Sequence, residues 1–142
     1  MELRIKHLEK LDELYETYPL VKLVKPEMNP EKFRHIQTEA RREGYQCIGA
    51  FTQDNEMVGM CGYWVRHRFC SMKVLHIDSI IAAENMQGKG IGSVLMEWVT
   101  EEARRYECDY VALDTYIERK EAHSFYLKHH FGVHGLHFMR KL

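Results

Sequence analysis

The feature that most limits how this chain can fold is the run Gln87-Gly88-Lys89-Gly90-Ile91-Gly92. Its three glycines in five residues separate two segments of different periodicity. Val74 to Ala83, ahead of them, is apolar and reads as a strand. Behind them, Ile91, Leu95, Trp98, Val99, Ala103 and Tyr106 share one face of a helix, and Glu97, Glu101, Arg104 and Arg105 the other. A glycine-rich turn from strand to helix lets backbone N–H groups converge on an anion, and the positive end of the helix dipole adds to the attraction. The plain alternative is a flexible turn without a ligand, because glycine is a common turn residue.

The remaining pattern is that of one domain over residues 1–142, with no linker or repeat. Glu2 to Lys6 reads as a strand. A helix with Leu8, Leu11, Leu14, Tyr15 and Tyr18 on one stripe follows, ended by Pro19, and Val21 to Pro26 reads as an irregular connection. Asn29-Pro30 caps a second helix with Phe33, Ile36 and Ala40 inward and Gly44 at its end. Tyr45 to Thr52 and Glu56 to Arg68 form a hairpin around Asp54-Asn55, and Met72 to Ala82 is the third long strand. After the glycine turn and its helix come a strand at Tyr110 to Tyr116, a helix from Arg119 to His129 and a last strand near Val133 to Lys141. This order predicts an α/β fold with a mixed sheet.

Charge and composition narrow the function. A formal net charge of -1 gives no electrostatic basis for general nucleic-acid or membrane binding. The start, Met1-Glu2-Leu3-Arg4-Ile5, lacks a signal-like apolar core, and no membrane span is predicted. Cys47, Cys61, Cys70 and Cys108 have no metal-site spacing and read as reduced thiols of a cytoplasmic protein. His123, His129, His130, His134 and His137 straddle a helix, a turn and a strand without paired ligand spacing, so no metal is expected. A dinucleotide fingerprint is also excluded. Ser93 stands where its third glycine belongs, and some 50 residues after Gly92 are too few for the parallel strands of that fold.

Two landmarks together carry a resemblance. Gln87, Gly90 and Gly92 fit the pattern Arg or Gln, two residues, Gly, one residue, Gly or Ala; Ala122, Phe125, Tyr126 and Phe131 fit Ala-x-x-Phe-Tyr-x-x-x-Gly-Phe. In this the chain resembles the Gcn5-related N-acetyltransferase family over nearly its whole length, and its tail is similar to the aminoalkylphosphonate acetyltransferase branch. It departs from the family at His130 in place of glycine, at Arg119 in place of asparagine, and in lacking a proline in Ala83-Glu84-Asn85-Met86.

The resemblance implies a mostly antiparallel central sheet with two splayed parallel strands and flanking helices. It also implies acetyl transfer from acetyl-CoA to an amine. Gln87, Gly88, Lys89, Gly90, Ile91, Gly92 and Ser93 would hold the pyrophosphate, and Ile80, Ile81 and Ala82 the pantetheine arm. Arg119 and His123 would lie on the cofactor's side. Tyr126 is the expected general acid. Asp78, with His76 two residues before it on the same strand face, is the expected base. The acceptor wall would come from Tyr18 to Met28 and His67 to Met72, where Lys22, Lys25, Arg66, His67 and Arg68 suit an anionic amine. A homodimer belongs to the same expectation. The rival class is a non-catalytic acyl-CoA-binding or regulatory module of this fold, and a peptide or protein amine is the alternative acceptor.

Overall fold

Long alternating segments in the middle of the chain build an antiparallel meander. In the computed structural model, which describes residues 2–142, β1 (Arg4–His7), β2 (Gln46–Phe51), β3 (Met57–Arg68) and β4 (Met72–Ala82) pair antiparallel in that order. β5 (Tyr110–Leu113) lies beyond β4 and parallel to it, giving the sheet order β1-β2-β3-β4-β5. The helices are α1 (Leu11–Tyr15), α2 (Tyr18–Val24), α3 (Pro30–Arg42), α4 (Ile91–Arg105) and α5 (Lys120–Lys128). The chain divides into two compact units, one ending at Ala112 and the other running from Leu113 to Leu142.

In the first unit, one face of the sheet carries a core of Leu14, Leu20, Tyr45, Cys47, Met60 and Ile81. On the other face Ile91, Leu95, Val99 and Ala103 of α4 are buried. Each fully buried aliphatic side chain contributes roughly 1.5–3 kcal/mol relative to exposure. Gly59 of β3 admits α4 closely, since a Cβ there would stand 2.6 Å from Ile91 Cγ2. Glu102 of α4, 2% exposed, is the charged residue of this interface. Tyr63 donates its hydroxyl to Glu102 Oε2 at 2.9 Å, His7 Nε2 lies 3.0 Å from the same oxygen, and Arg105 pairs with Oε1. The predicted inward stripe omitted Glu102, whereas Tyr106 is exposed.

Two local expectations give way near the N-terminus. Pro19 does not end a helix. It occupies the first turn of α2, where a missing N–H costs no intrahelical bond. The break falls instead at Thr17, whose Oγ1 donates to Leu14 O at 2.7 Å and accepts from Gln37 Nε2 at 3.3 Å. Gln37 is therefore the buried partner of Phe33 in α3, and Ile36 is exposed. The Asn29 cap forms as expected, its side chain accepting from Lys32 N at 2.8 Å.

In the second unit His130, two residues past the end of α5, takes the left-handed conformation (φ 70). Phe131 N bonds back to Tyr126 O at 3.0 Å. Histidine thus adopts the geometry for which helix ends usually employ glycine. The strand expected at Val133 to Lys141 is not formed; residues 132–142 carry no regular element. Gly135 interrupts its alternation, and glycine weakens a strand interior. β5 stops at Leu113, ahead of the exposed Asp114 and Thr115.

Candidate active site

Glycine backbone geometry shapes the turn between β4 and α4. Gly88 and Gly90 both adopt positive φ, 78 and 83, and a Cβ on either would meet nothing within 4 Å. The two positions therefore face open space and are glycine for conformation. Gly90 is the N-cap of α4 without a side-chain cap, and Val94 N makes the helix's first backward bond, to Gly90 O at 3.1 Å. The first-turn amides of a helix have no intrahelical acceptor, and here they stand at the positive end of a 15-residue helix. Gln87, Lys89 and Gly90 are exposed, whereas the Ile91 side chain is 1% exposed and anchors the turn to the core. These features fit a phosphate-bearing ligand held by backbone.

β4 leads into this turn. Ala83 N donates to Val58 O at 2.8 Å, and Ile81 stands opposite Met60. Amide direction alternates along a strand, so Ile80 and Ala82 aim their N–H groups away from β3. Ile81, expected beside them, buries its side chain in the core. At the other end of β4, Asp109 N donates to Lys73 O at 2.7 Å and Lys73 N to Asp109 Oδ2 at 3.0 Å.

Between these ends the β3–β4 ladder slips. Gly62 faces Ser79 and Tyr63 faces Ile77, which leaves Asp78 as the extra residue of a β-bulge. Desolvation pushes the Asp78 carboxyl above its ordinary value of 3.8, with His76 and Arg66 acting against the shift. Its carboxylate is consequently a stronger base than that of a fully hydrated aspartate. His76 pairs with Trp64 across the ladder, and Arg66 stacks its guanidinium 5.3 Å over the Trp64 ring. Carboxylate, imidazole and guanidinium thus share one region of β3 and β4.

The expected acceptor wall is only partly brought to this point. The hairpin His67–Met72 borders a cavity of about 470 Å³ together with Lys73 and Glu107. Six residues of extended strand, roughly 20 Å, separate Met72 from Asp78. α2 does pack against β4. There Lys22 lies 5.7 Å over the Tyr18 ring, Tyr18 donates its hydroxyl to Met28 O at 2.7 Å, and Lys25 pairs with Glu27 at 3.1 Å.

The second unit holds Arg119, His123 and Tyr126. His123 Nε2 lies 2.8 Å from Tyr116 O, and Arg119, the N-cap of α5, donates its backbone N to the same carbonyl at 3.1 Å. Tyr126 packs edge-on against Phe125 and Phe131, at 5.5 and 5.9 Å. Among the described residues, no three His, Cys, Asp or Glu side chains converge on a metal position. Burial raises the thiol of Cys47 to about 12 and that of Cys61 well above its ordinary value, so neither is a nucleophile at neutral pH. Sequence reasoning missed Tyr45 and Gly62, which flank the bulge. The available signal was a glycine inside a strand, a mark of close approach.

The profile of the Acetyltransferase (GNAT) family matches residues 8–131. An aminoalkylphosphonate N-acetyltransferase of Salmonella typhimurium is 28% identical over 142 residues, covering 99% of this chain and 91% of that protein. An uncharacterized N-acetyltransferase of Bacillus subtilis, YhdJ, is 23% identical over 125 residues and 87% of each chain. Among solved structures, the aminoglycoside N-acetyltransferase AAC(6')-Iy in complex with CoA superposes with a TM-score of 0.83 at 18% identity, covering 99% of this chain and 95% of that one.

Proposed function

The chain belongs to the acetyltransferase (GNAT) family and is an acetyl-CoA-dependent N-acetyltransferase; from that premise we propose that it acetylates the primary amine of a small anionic molecule by direct attack in a ternary complex. The observation that carries this reading is the bulged Asp78, with a raised carboxyl pKa and with Arg66 near enough to act on it. Arg66 is the group to hold an anionic substituent while Asp78 takes a proton from the ammonium. The similarity to an aminoalkylphosphonate N-acetyltransferase supports the same acceptor class. Residues 1–142 are read as a single catalytic domain.

The chemistry then divides among the chain's own residues. Backbone amides from Gln87 to Gly92, with Lys89 and Ser93 beside them, bind the pyrophosphate of acetyl-CoA; Arg119 and His123 add contacts to that cosubstrate. The Ile80 and Ala82 amides bond the pantetheine arm, and one of them donates to the thioester oxygen as negative charge develops there. Asp78 accepts the amine proton, directly or through His76, and the nitrogen attacks the carbonyl carbon. The C–N bond forms, the C–S bond breaks, and Tyr126 delivers a proton to the leaving sulfur. A phenol pKa of roughly 10 against about 8.5 for a thiol makes that last transfer modestly uphill, so Tyr126 assists more than it enables.

No helix among the described residues is long and apolar enough to cross a membrane. A cytoplasmic location and a homodimer complete the reading, the latter open to sedimentation. Calorimetry with acetyl-CoA on wild type and Gly90→Glu tests the cradle: binding must be present in the first and lost in the second, with both folded. Turnover of aminoalkylphosphonates and amino acids by wild type, Asp78→Asn and Tyr126→Phe tests the roles. Unchanged turnover in both variants overturns the assignments. Acetyl-CoA binding without turnover of any amine would instead mark a regulatory module.

A further inference from the structure

We propose that Tyr45 is a positioning residue for the reaction, wedged against Gly62 so as to hold the β4 bulge that presents Asp78. Tyr45 stands just ahead of β2, 8% exposed, with its ring edge-on to Trp64 at 5.2 Å. Its position against β3 is unusually close. A Cβ on Gly62 would lie 2.5 Å from Tyr45 Cε1 and Cζ and would overlap the hydroxyl oxygen. Gly62 does not adopt positive φ. Its missing side chain therefore serves room, not backbone conformation, and the Tyr45 hydroxyl end occupies that room.

The location gives the fit its meaning. Gly62 is the last residue of β3 before the register slips, paired with Ser79, and the extra residue of the slip is Asp78. A bulge is an unpaired residue in a local bend, and its direction must be set by whatever packs on it. On this face the filler is the Tyr45 phenol. The groups that act electrostatically on Asp78 or feel its charge are His76 of β4, Arg66 and Cys61 of β3, Cys47 of β2, and Tyr45 itself. Tyr45 remains a neutral phenol because burial drives its pKa well above 10, with Cys47 and Asp78 adding to the shift. It is therefore a shape and dipole element beside the base that retains its own proton.

The inference rests on Asp78 being the base, so wild-type turnover and the loss in Asp78→Asn are established first; their absence counts against the functional reading and not against the wedge. Given both, Gly62→Ala and Tyr45→Phe are compared by kcat, KM for acetyl-CoA and the pH profile of kcat/KM. Gly62→Ala forces the ring off its seat and is expected to lower kcat at least tenfold, with KM for acetyl-CoA within threefold and a displaced acid limb. Tyr45→Phe keeps the ring and the core, and is expected to show the same pattern to a smaller degree. It also keeps the test decisive if Gly62→Ala does not fold. The proposal is overturned if Tyr45→Phe retains wild-type kcat and pH profile. It is equally overturned if kcat and acetyl-CoA binding decline together in proportion to a lowered Tm, since that is general loosening.

Discussion

Substituting Gly59 by alanine tests whether the sheet sets the position of the proposed acetyl-CoA cradle. The new Cβ would sit 2.6 Å from Ile91 Cγ2, 3.1 Å from Leu95 Cδ1 and 3.3 Å from Ile81 O. Carbon atoms pack at roughly 3.5–4.0 Å, so the first contact is short by about 1 Å. Ile91 is β-branched and stiff, which leaves displacement of the first turn of α4 as the softest response. Overpacking of this kind costs about 1–3 kcal/mol, and alanine in place of a strand glycine returns roughly 0.5–1 kcal/mol. A net loss of about 1–2 kcal/mol lowers Tm by roughly 3–8 °C for a chain of this size. Because Ile91 directly follows Gly90, the displacement reaches the cradle, and acetyl-CoA affinity is expected to fall about five- to tenfold, on the order of 1 kcal/mol. Calorimetric titration and scanning calorimetry measure both effects. Adding Ile91→Ala removes the clashing methyl, so the double variant must bind acetyl-CoA better than the Ile91→Ala effect and the Gly59→Ala effect combined. Wild-type affinity and an unchanged Tm in Gly59→Ala would refute the mechanical link, and strict additivity would assign any loss elsewhere.

Glu102→Ala strands the Tyr63 hydroxyl, on a residue with no exposed surface, and unpairs Arg105 and His7. A loss of about 3–5 kcal/mol in chemical denaturation is expected. Burial alone would raise the Glu102 carboxyl, but hydrogen bonds from Arg105, Tyr63 and His7 outweigh it and hold the group below its ordinary 4.5. The unfolded chain therefore takes up the proton first, so this stabilisation is complete above the ordinary value and is lost as pH falls through the folded one. Denaturation midpoints measured from about pH 6 down to 3 should accordingly decline more steeply in wild type than in Glu102→Gln. His130→Gly relieves a left-handed histidine (φ 70) and is expected to stabilise the second unit by roughly 1 kcal/mol. Slower amide exchange in α5 would show this, and a destabilised variant would contradict it.

Regularities that depend on nearest neighbours were legible in the sequence. The boundaries of β4 follow from a mostly apolar run, the Asn29-Pro30 start of α3 from two residues with strong positional chemistry, and the turn into α4 from clustered glycines, of which Gly88 and Gly90 take positive φ. Tertiary demands were not legible. Pro19 is compatible with ending one helix or starting another, and only the Thr17–Gln37 contact decides between them. Glu102 carries the polarity of a solvent-facing residue, and its inward position depends on Tyr63 and His7, which lie 39 and 95 residues away. The bulge at Asp78 was invisible for the same reason. A register slip belongs to a pair of strands, and neither strand's own sequence announces it.

The contact between His7 and Glu102 also has a consequence for how the chain is made. Synthesis releases β1 early, yet its strand partner, β2, lies more than forty residues downstream and its polar anchor 95 residues away. The β2–β3–β4 meander can assemble from hairpins as it emerges, since its contacts are local and close small loops. β1 has no such course open to it. It can register on β2 beforehand, but Tyr63 and His7 have no shared acceptor until α4 has left the ribosome and folded onto the sheet. β1, made before its partners, is thus among the last strands to be locked, and until then the outer edge of β2 is the nascent chain's exposed template for mispairing.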